Sequence, residues 1–127
     1  MKKVRKVLVV DDEKALVQLC RIILEAAGFE VRGAYNGNQA LTMALEEMPD
    51  LVLLDVMMPG LDGIEVCRQI RETHHLTVPI VMYTADERDI TRRNSLAAGA
   101  NGVLTKETPI YEIPIRIGMY LKGETND

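Results

Sequence analysis

The chain has 127 residues, 47% hydrophobic and 27% charged, which fits one globular domain with a full core. A formal net charge of −4 argues against nucleic acid or an anionic membrane as a direct partner, since both need a basic surface, and leaves room only for a local basic patch. No apolar run approaches the ~20 residues of a membrane span, and the basic start MKKVRK leads into four apolar residues and then two aspartates, too short a core for a signal peptide.

Val7-Leu8-Val9-Val10 is uninterrupted and mostly β-branched, which predicts a strand buried on both faces. Lys14 to Ala27 follows with Leu16, Leu19, Cys20, Ile23 and Ala27 at helical spacing, and Gly28 as the stop. Glu30 to Tyr35 predicts a second strand. Asn36 then caps a second helix whose apolar face is Ala40, Ala44, Leu45 and Met48. Leu51 to Leu54 is a third strand, and Gly63 to Thr73 a helix with Val66, Cys67 and Ile70 inward. Pro79 to Tyr83 is a strand, followed by a helix over 86–98 that ends at Gly99. This helix has few large apolar residues; Ile90, Leu96 and Ala97 are its expected anchors, and so light a hold makes it a candidate moving part. Gly102 to Thr105 is a short fifth strand.

The tail from Pro109 to Lys122 is predicted helical, with its regular part starting at Pro114, because proline suits a first helical turn. Ile110, Ile113, Ile117 and Leu121 form its main face. Ile115 and Met119 form a second stripe, either core or a partner surface such as a dimer contact. Residues 123–127 are expected to be a polar frayed end. Cys20 and Cys67 sit among apolar residues without metal-ligand spacing, so both are expected to be buried and reduced, in keeping with a cytoplasmic location. His74 and His75, with no third ligand near them in sequence, are expected to be solvated loop residues, and Arg92 and Arg93 solvated arginines.

Strand and helix alternate about five times with short connections. That pattern implies right-handed crossovers and a doubly wound α/β fold, a parallel sheet with helices on both faces. Ligands of such sheets sit beyond the carboxyl ends of the strands, at the switch point. The residues there are Asp11-Asp12-Glu13 after the first strand, Asp55 after the third, Thr84-Ala85 after the fourth and Lys106 after the fifth. Crowded carboxylates repel one another unless a cation joins them. Mg²⁺, or another divalent cation such as Mn²⁺, fits, because it takes one or two carboxylates and completes its shell with water and phosphate oxygens. A lysine supplies a point charge for a phosphoryl oxygen and a threonine a hydrogen bond. Such a rim is suited to phosphoryl transfer onto an aspartate.

The segments VLVVDDE (7–13), LVLLDVMMPGLDG (51–63), PIVMYTA (79–85) and AAGANGVLTK (97–106) resemble the response-regulator receiver domains of two-component signalling. The resemblance covers residues 4 to about 107 well and the remainder poorly. It implies a flavodoxin-like five-stranded sheet of order 2-1-3-4-5, a single receiver domain over 1–127 with its core at 4–122, and a set of roles. Asp55 would be the phosphorylated residue. Asp12 would hold the metal directly, Asp11 directly or through water, and the Met57 backbone carbonyl would be a further ligand. Thr84 and Lys106 would bind the phosphoryl group once it arrives. Ala85 would leave room for it, and Pro59, Gly60 and Gly63 would turn the chain out of the site. The side chains of Met57 and Asp86 stand where the family tunes access of water to the acyl phosphate, and apolar Met57 is expected to shield it in part. The partners implied are a histidine kinase or phosphotransfer protein as donor and a downstream protein or output domain as reader.

Three departures stand out. Glu107 follows Lys106 where the family has a cis proline, so the Lys106–Glu107 bond is either trans with a shifted loop or a strained cis bond, which costs about 2.5–4 kcal/mol. Val103 replaces the usual aromatic residue three positions before the lysine. The last helix carries Pro114 and Gly118. The leading expectation is a phosphorylation-controlled switch. A phosphorylation-independent binding module is the alternative, weakened because every acid, the hydroxyl and the lysine are retained. An aspartate-based phosphohydrolase is disfavoured because Met57 stands where the general acid would be, and a nucleotide enzyme because no glycine-rich phosphate loop is present. The sequence does not separate a stand-alone receiver from a piece of a longer regulator.

Overall fold

The computed structural model describes residues 3–123; of the frayed end expected at 123–127, residues 124–127 lie outside them. Five strands, β1 (Lys6–Val10), β2 (Glu30–Ala34), β3 (Leu51–Leu54), β4 (Ile80–Thr84) and β5 (Gly102–Thr105), form one parallel sheet of order β2-β1-β3-β4-β5. Five helices connect and flank them: α1 (Lys14–Ala26), α2 (Gly37–Glu47), α3 (Gly63–Glu72), α4 (Asp89–Ala97) and α5 (Ile113–Leu121). This is the doubly wound, flavodoxin-like arrangement implied by the strand–helix alternation and the family motifs.

Alternate residues of each strand feed two separate cores, since side chains along a strand point to opposite faces. Leu8, Val10, Val52, Leu54, Ile80, Met82 and Val103 pack on one face with Ala40, Ala44, Val66, Cys67, Ile70 and Ala98 from α2, α3 and the end of α4. Val7, Val9, Leu51, Leu53, Val81, Tyr83 and Leu104 pack on the other with Val17, Cys20 and Leu24 of α1 and Ile113, Ile117 and Tyr120 of α5. Both cysteines are free and buried, and burial pushes each thiol up to about 11.

Helix faces depart from the expected ones in three places. In α1 the buried residues are Val17, Cys20 and Leu24, while Leu19 and Ala27 are exposed. With leucine or isoleucine at 16, 19, 22, 23 and 24, the residues themselves leave the facing stripe undecided. In α2, Asn36 caps as expected, its Oδ1 accepting from the Gln39 N–H at 2.8 Å. Leu45 and Met48, however, are exposed, and Met48 is the left-handed C-cap at φ 46. In α4 the sheet-facing side is Thr91 and Ser95, with Ala98 just beyond; Ile90, Leu96 and Ala97 face solvent.

The last helix begins as a 3-10 turn (Ile110–Glu112) and becomes regular at Ile113, with Pro114 in its first turn where no backbone donor is missed. Ile115 is exposed and Met119 half-buried, so the second stripe is not core. All peptide bonds among the described residues are trans, including Lys106–Glu107.

Candidate functional site

The sheet register places the functional ends side by side. Val10 pairs with Leu54, so Asp11 and Asp55 leave adjacent strands at the point where the chain switches direction across the sheet. Two backbone hydrogen bonds extend the ladders into the site: Asp55 N–H to Val10 carbonyl at 3.0 Å, and Lys106 N–H to Thr84 carbonyl at 2.8 Å. Beyond Asp55 the chain turns sharply. Gly60 sits at φ 76, open to glycine at little cost. Gly63 meets a different demand: a Cβ there would collide with the backbone carbonyl of Asp55. Glycine lets α3 begin directly against the site, and its N–H donates to the Val56 carbonyl at 2.9 Å.

Carboxylate oxygens of Asp11, Asp12 and Asp55 lie within 4.8 Å of one another. Asp11 and Asp55 are 2% and 4% exposed, and Asp12 is open to solvent. Lys106 reaches in from the end of β5, its Nζ 2.8 Å from Asp11 Oδ2 and 3.6 Å from Asp55 Oδ2. The remaining Asp11 oxygen accepts from the Glu13 N–H at 2.9 Å, and Asp55 Oδ1 accepts a longer bond, 3.3 Å, from the Met57 N–H. Burial is the largest influence on Asp55, followed by the negative charge of Asp11. Against them stand Lys106 and the Met57 N–H, and the carboxyl is still pushed up to about 6. Burial works against the Lys106 ammonium too, but its hydrogen bond to Asp11 and the charges of Asp55, Asp11 and Glu13 outweigh it and hold its pKa above the usual value.

Thr84 is fully buried, and its Oγ1 accepts from the Asp86 N–H at 3.2 Å. Asp86 is the hub of a cluster that no motif announces. Its carboxylate accepts from Arg88 Nε at 2.9 Å and Nη2 at 2.7 Å, from the Arg88 N–H at 3.1 Å, and from Thr91 Oγ1 at 2.6 Å. The hydrogen bonds from the Arg88 and Thr91 side chains hold it well below the usual carboxylate range. Asp86 thereby ties Thr84 to the start of α4. An acid, an arginine and a threonine spread over six positions carry no motif, so only the folded loop reveals them.

The Met57 side chain is 59% exposed. With Val56, Met58, Ile64, Asp86, Arg88, Ile90 and Thr91 it lines a groove of about 660 Å³ between the loop after β3 and α4. His74 and His75 lie far along the chain from the acids, in the loop before β4, with His75 at φ 55.

The oxygen donors of Asp11, Asp12 and Asp55 suit a hard divalent cation, which would neutralise the like charge that Asp11 sets beside the buried Asp55. Close oxygens, a buried acceptor, a lysine and a buried hydroxyl together can bind a metal and a phosphoryl group at one rim.

The family model for the response regulator receiver domain matches residues 7–117. Among solved structures, the Francisella response regulator 1452 receiver domain is similar with a TM-score of 0.86 at 30% identity, covering 94% of this chain and 98% of that one. The BeF3-activated N-terminal receiver domain of Klebsiella pneumoniae RstA gives 0.86 at 32% identity, covering 92% and 98%. A CheY-like receiver domain protein from Methanospirillum hungatei gives 0.88 at 25% identity, covering 95% and 96%. By its motifs, its sheet order and these matches, the chain belongs to the response regulator receiver domain family, the phosphoacceptor signalling domains of two-component systems.

Proposed function

We propose that Asp55 is the phosphoacceptor and that Asp11, Asp12, Thr84, Lys106 and the Met57 carbonyl complete its site. The observation that carries this reading is the Lys106 ammonium set between Asp11 and Asp55, with the Asp12 carboxylate close by and open to solvent. Asp12 and Asp55, with the Met57 carbonyl, would hold Mg²⁺ or Mn²⁺. Asp11, whose oxygens already accept from Lys106 and from the Glu13 N–H, acts through water. The bound cation supplies charge neutralisation between the acceptor and the incoming phosphoryl oxygens.

Asp55 then attacks phosphorus with one carboxylate oxygen. A new P–O bond forms as the P–N bond of a phosphohistidine, or the P–O bond of an acyl phosphate, breaks, and the leaving group departs with the electron pair. Lys106 exchanges its contact with Asp11 for one with a phosphoryl oxygen, and Thr84 Oγ1 donates to another. The added group brings roughly −1.5 to −2 charges, and both partners bind it only after transfer, so the population shifts between two arrangements. RstA was solved in a BeF3-activated form, and the same chemistry at Asp55 would switch this chain. The donor is a histidine kinase or phosphotransfer protein, the reader a downstream protein or output domain, and the setting the cytoplasm.

The test is incubation with acetyl phosphate and Mg²⁺ followed by intact mass. Wild type should gain one phosphoryl group and Asp55→Asn none. Failure of wild type to gain it, or an equal gain in the variant, removes the assignment.

A further inference from the structure

Lys3, Arg5 and Lys6 of the basic run take no part in the carboxyl-edge site. Lys3 and Arg5 precede or begin the approach to β1 at the opposite edge of the sheet, and Lys122 caps the end of α5. These three cations, with Phe29, Gly118 and Leu121, line a groove of about 470 Å³. In a chain of net charge −4 this is a local reversal of sign. The side chains of Arg5 and Lys122 have no hydrogen-bond or ion-pair partner among the described residues, and Lys3 has only Asp50 at 3.9 Å, with its own side chain 80% exposed.

Gly118 is the second observation. Glycine inside a helix is less stable than alanine, because it has more freedom to lose on folding. Elsewhere in this fold glycine answers a need, such as the close approach at Gly63 or the positive φ at Gly60. Gly118 answers neither: its φ is ordinary for a helix, and a Cβ there would meet nothing within 4 Å. What its missing side chain does is keep the groove open between Phe29 and Leu121.

We infer that this groove docks an acidic peptide segment of a partner protein. One apolar side chain of the segment seats over Gly118 between Phe29 and Leu121, and flanking carboxylates meet Arg5, Lys122 and Lys3. A membrane surface fits less well. The groove is concave, and the same sheet edge carries Glu30 and Glu47, each 3.8 Å from Lys6. A broad anionic plane would press on both acids, whereas none of the residues lining the groove is acidic. The site stands at the far edge of the sheet from Asp55, so this inference does not depend on the phosphoacceptor assignment.

The experiment is fluorescence anisotropy on the full chain, with a fluorescein-labelled peptide carrying one leucine flanked on both sides by glutamates. Saturable binding is expected, weakened by added salt. Arg5→Glu with Lys122→Glu should weaken it about tenfold, since each surface pair contributes modestly. A glutamine version of the peptide should bind as poorly. Gly118→Leu should fill the groove and abolish binding while the melting temperature holds or rises and acetyl phosphate modification is unchanged. In wild type, the peptide should move the amide resonances of Phe29, Gly118 and Leu121, a readout that needs no variant. No saturable binding, equal binding of the glutamine peptide, resonance changes elsewhere, or capture by phosphatidylserine vesicles that the peptide does not displace would each overturn the inference.

Discussion

Asp55 is buried beside a second acid, and Lys106 offsets only part of that burden. Its carboxyl is raised from 3.8 to about 6 in the native fold. Between those two values the native chain holds more protons than the unfolded one, so stability falls as pH rises through the window and levels off above it. A shift of that size corresponds to about 3 kcal/mol as an upper figure. Asp55→Asn keeps the shape and removes the charge. In EDTA at pH 7 it should therefore stabilise the fold by about 1–3 kcal/mol, and the gain should vanish by pH 4. Urea melts of both proteins across that range provide the check, and a destabilised variant at pH 7 would contradict the account. On the proposed phosphoacceptor reading, Met57 bears on the product instead. Its apolar side chain borders the groove next to Asp55, and an amide there can hydrogen-bond and orient water. Met57→Asn should speed loss of the phosphoryl group severalfold, followed by mass after acetyl phosphate is removed; an unchanged rate would show that the thioether shields nothing.

The element that departs most from expectation is α4, and the reason is physical. Large apolar residues are the usual anchors, so Ile90, Leu96 and Ala97 were the natural choice from sequence, yet the helix turns Thr91 and Ser95 to the sheet. Thr91 bonds Asp86 at 2.6 Å, but the buried Ser95 Oγ has no partner among the described residues. A buried polar atom left unpaired costs about 1–3 kcal/mol. Ser95→Ala should accordingly stabilise the fold by about 1 kcal/mol, while Thr91→Val, which strips Asp86 of a donor, should cost about 1 kcal/mol. Denaturant midpoints decide both signs. Amide exchange in α4 should be faster than in α3, which buries Val66, Cys67 and Ile70. Val103 is part of this same core, so the position that is aromatic in the family here only fills space beneath α4. The short apolar strands were legible because burial on both faces leaves so little room for polar residues. Helix faces were not legible where, as in α1, apolar residues occupy more than one stripe.

At the scale of the whole molecule, the rim acids, hydroxyl and lysine were legible because a parallel sheet sends every strand's carboxyl end to one edge, whatever the sequence distance. Loop geometry was not: the trans Lys106–Glu107 bond, the 3-10 turn before α5 and the Asp86 cluster are matters of local backbone conformation that no residue pattern announces. The same topology couples the rim to global stability. Asp11 and Asp12 follow β1 and Asp55 follows β3, so a cation held by them joins two adjacent interior strands of the sheet, and unfolding must release it. A ligand bound only by the native state stabilises it by about 2.7 kcal/mol at a hundred times its dissociation constant. Mg²⁺ should therefore raise the melting temperature in proportion to the logarithm of its concentration once that constant is exceeded. The rise should be larger at pH 7 than at pH 5, where Asp55 is mostly protonated. Asp12→Asn, at an exposed position whose loss leaves the core intact, should keep the metal-free melting temperature and lose most of the response. A Mg²⁺ response equal in wild type and Asp12→Asn would place the cation somewhere other than this rim.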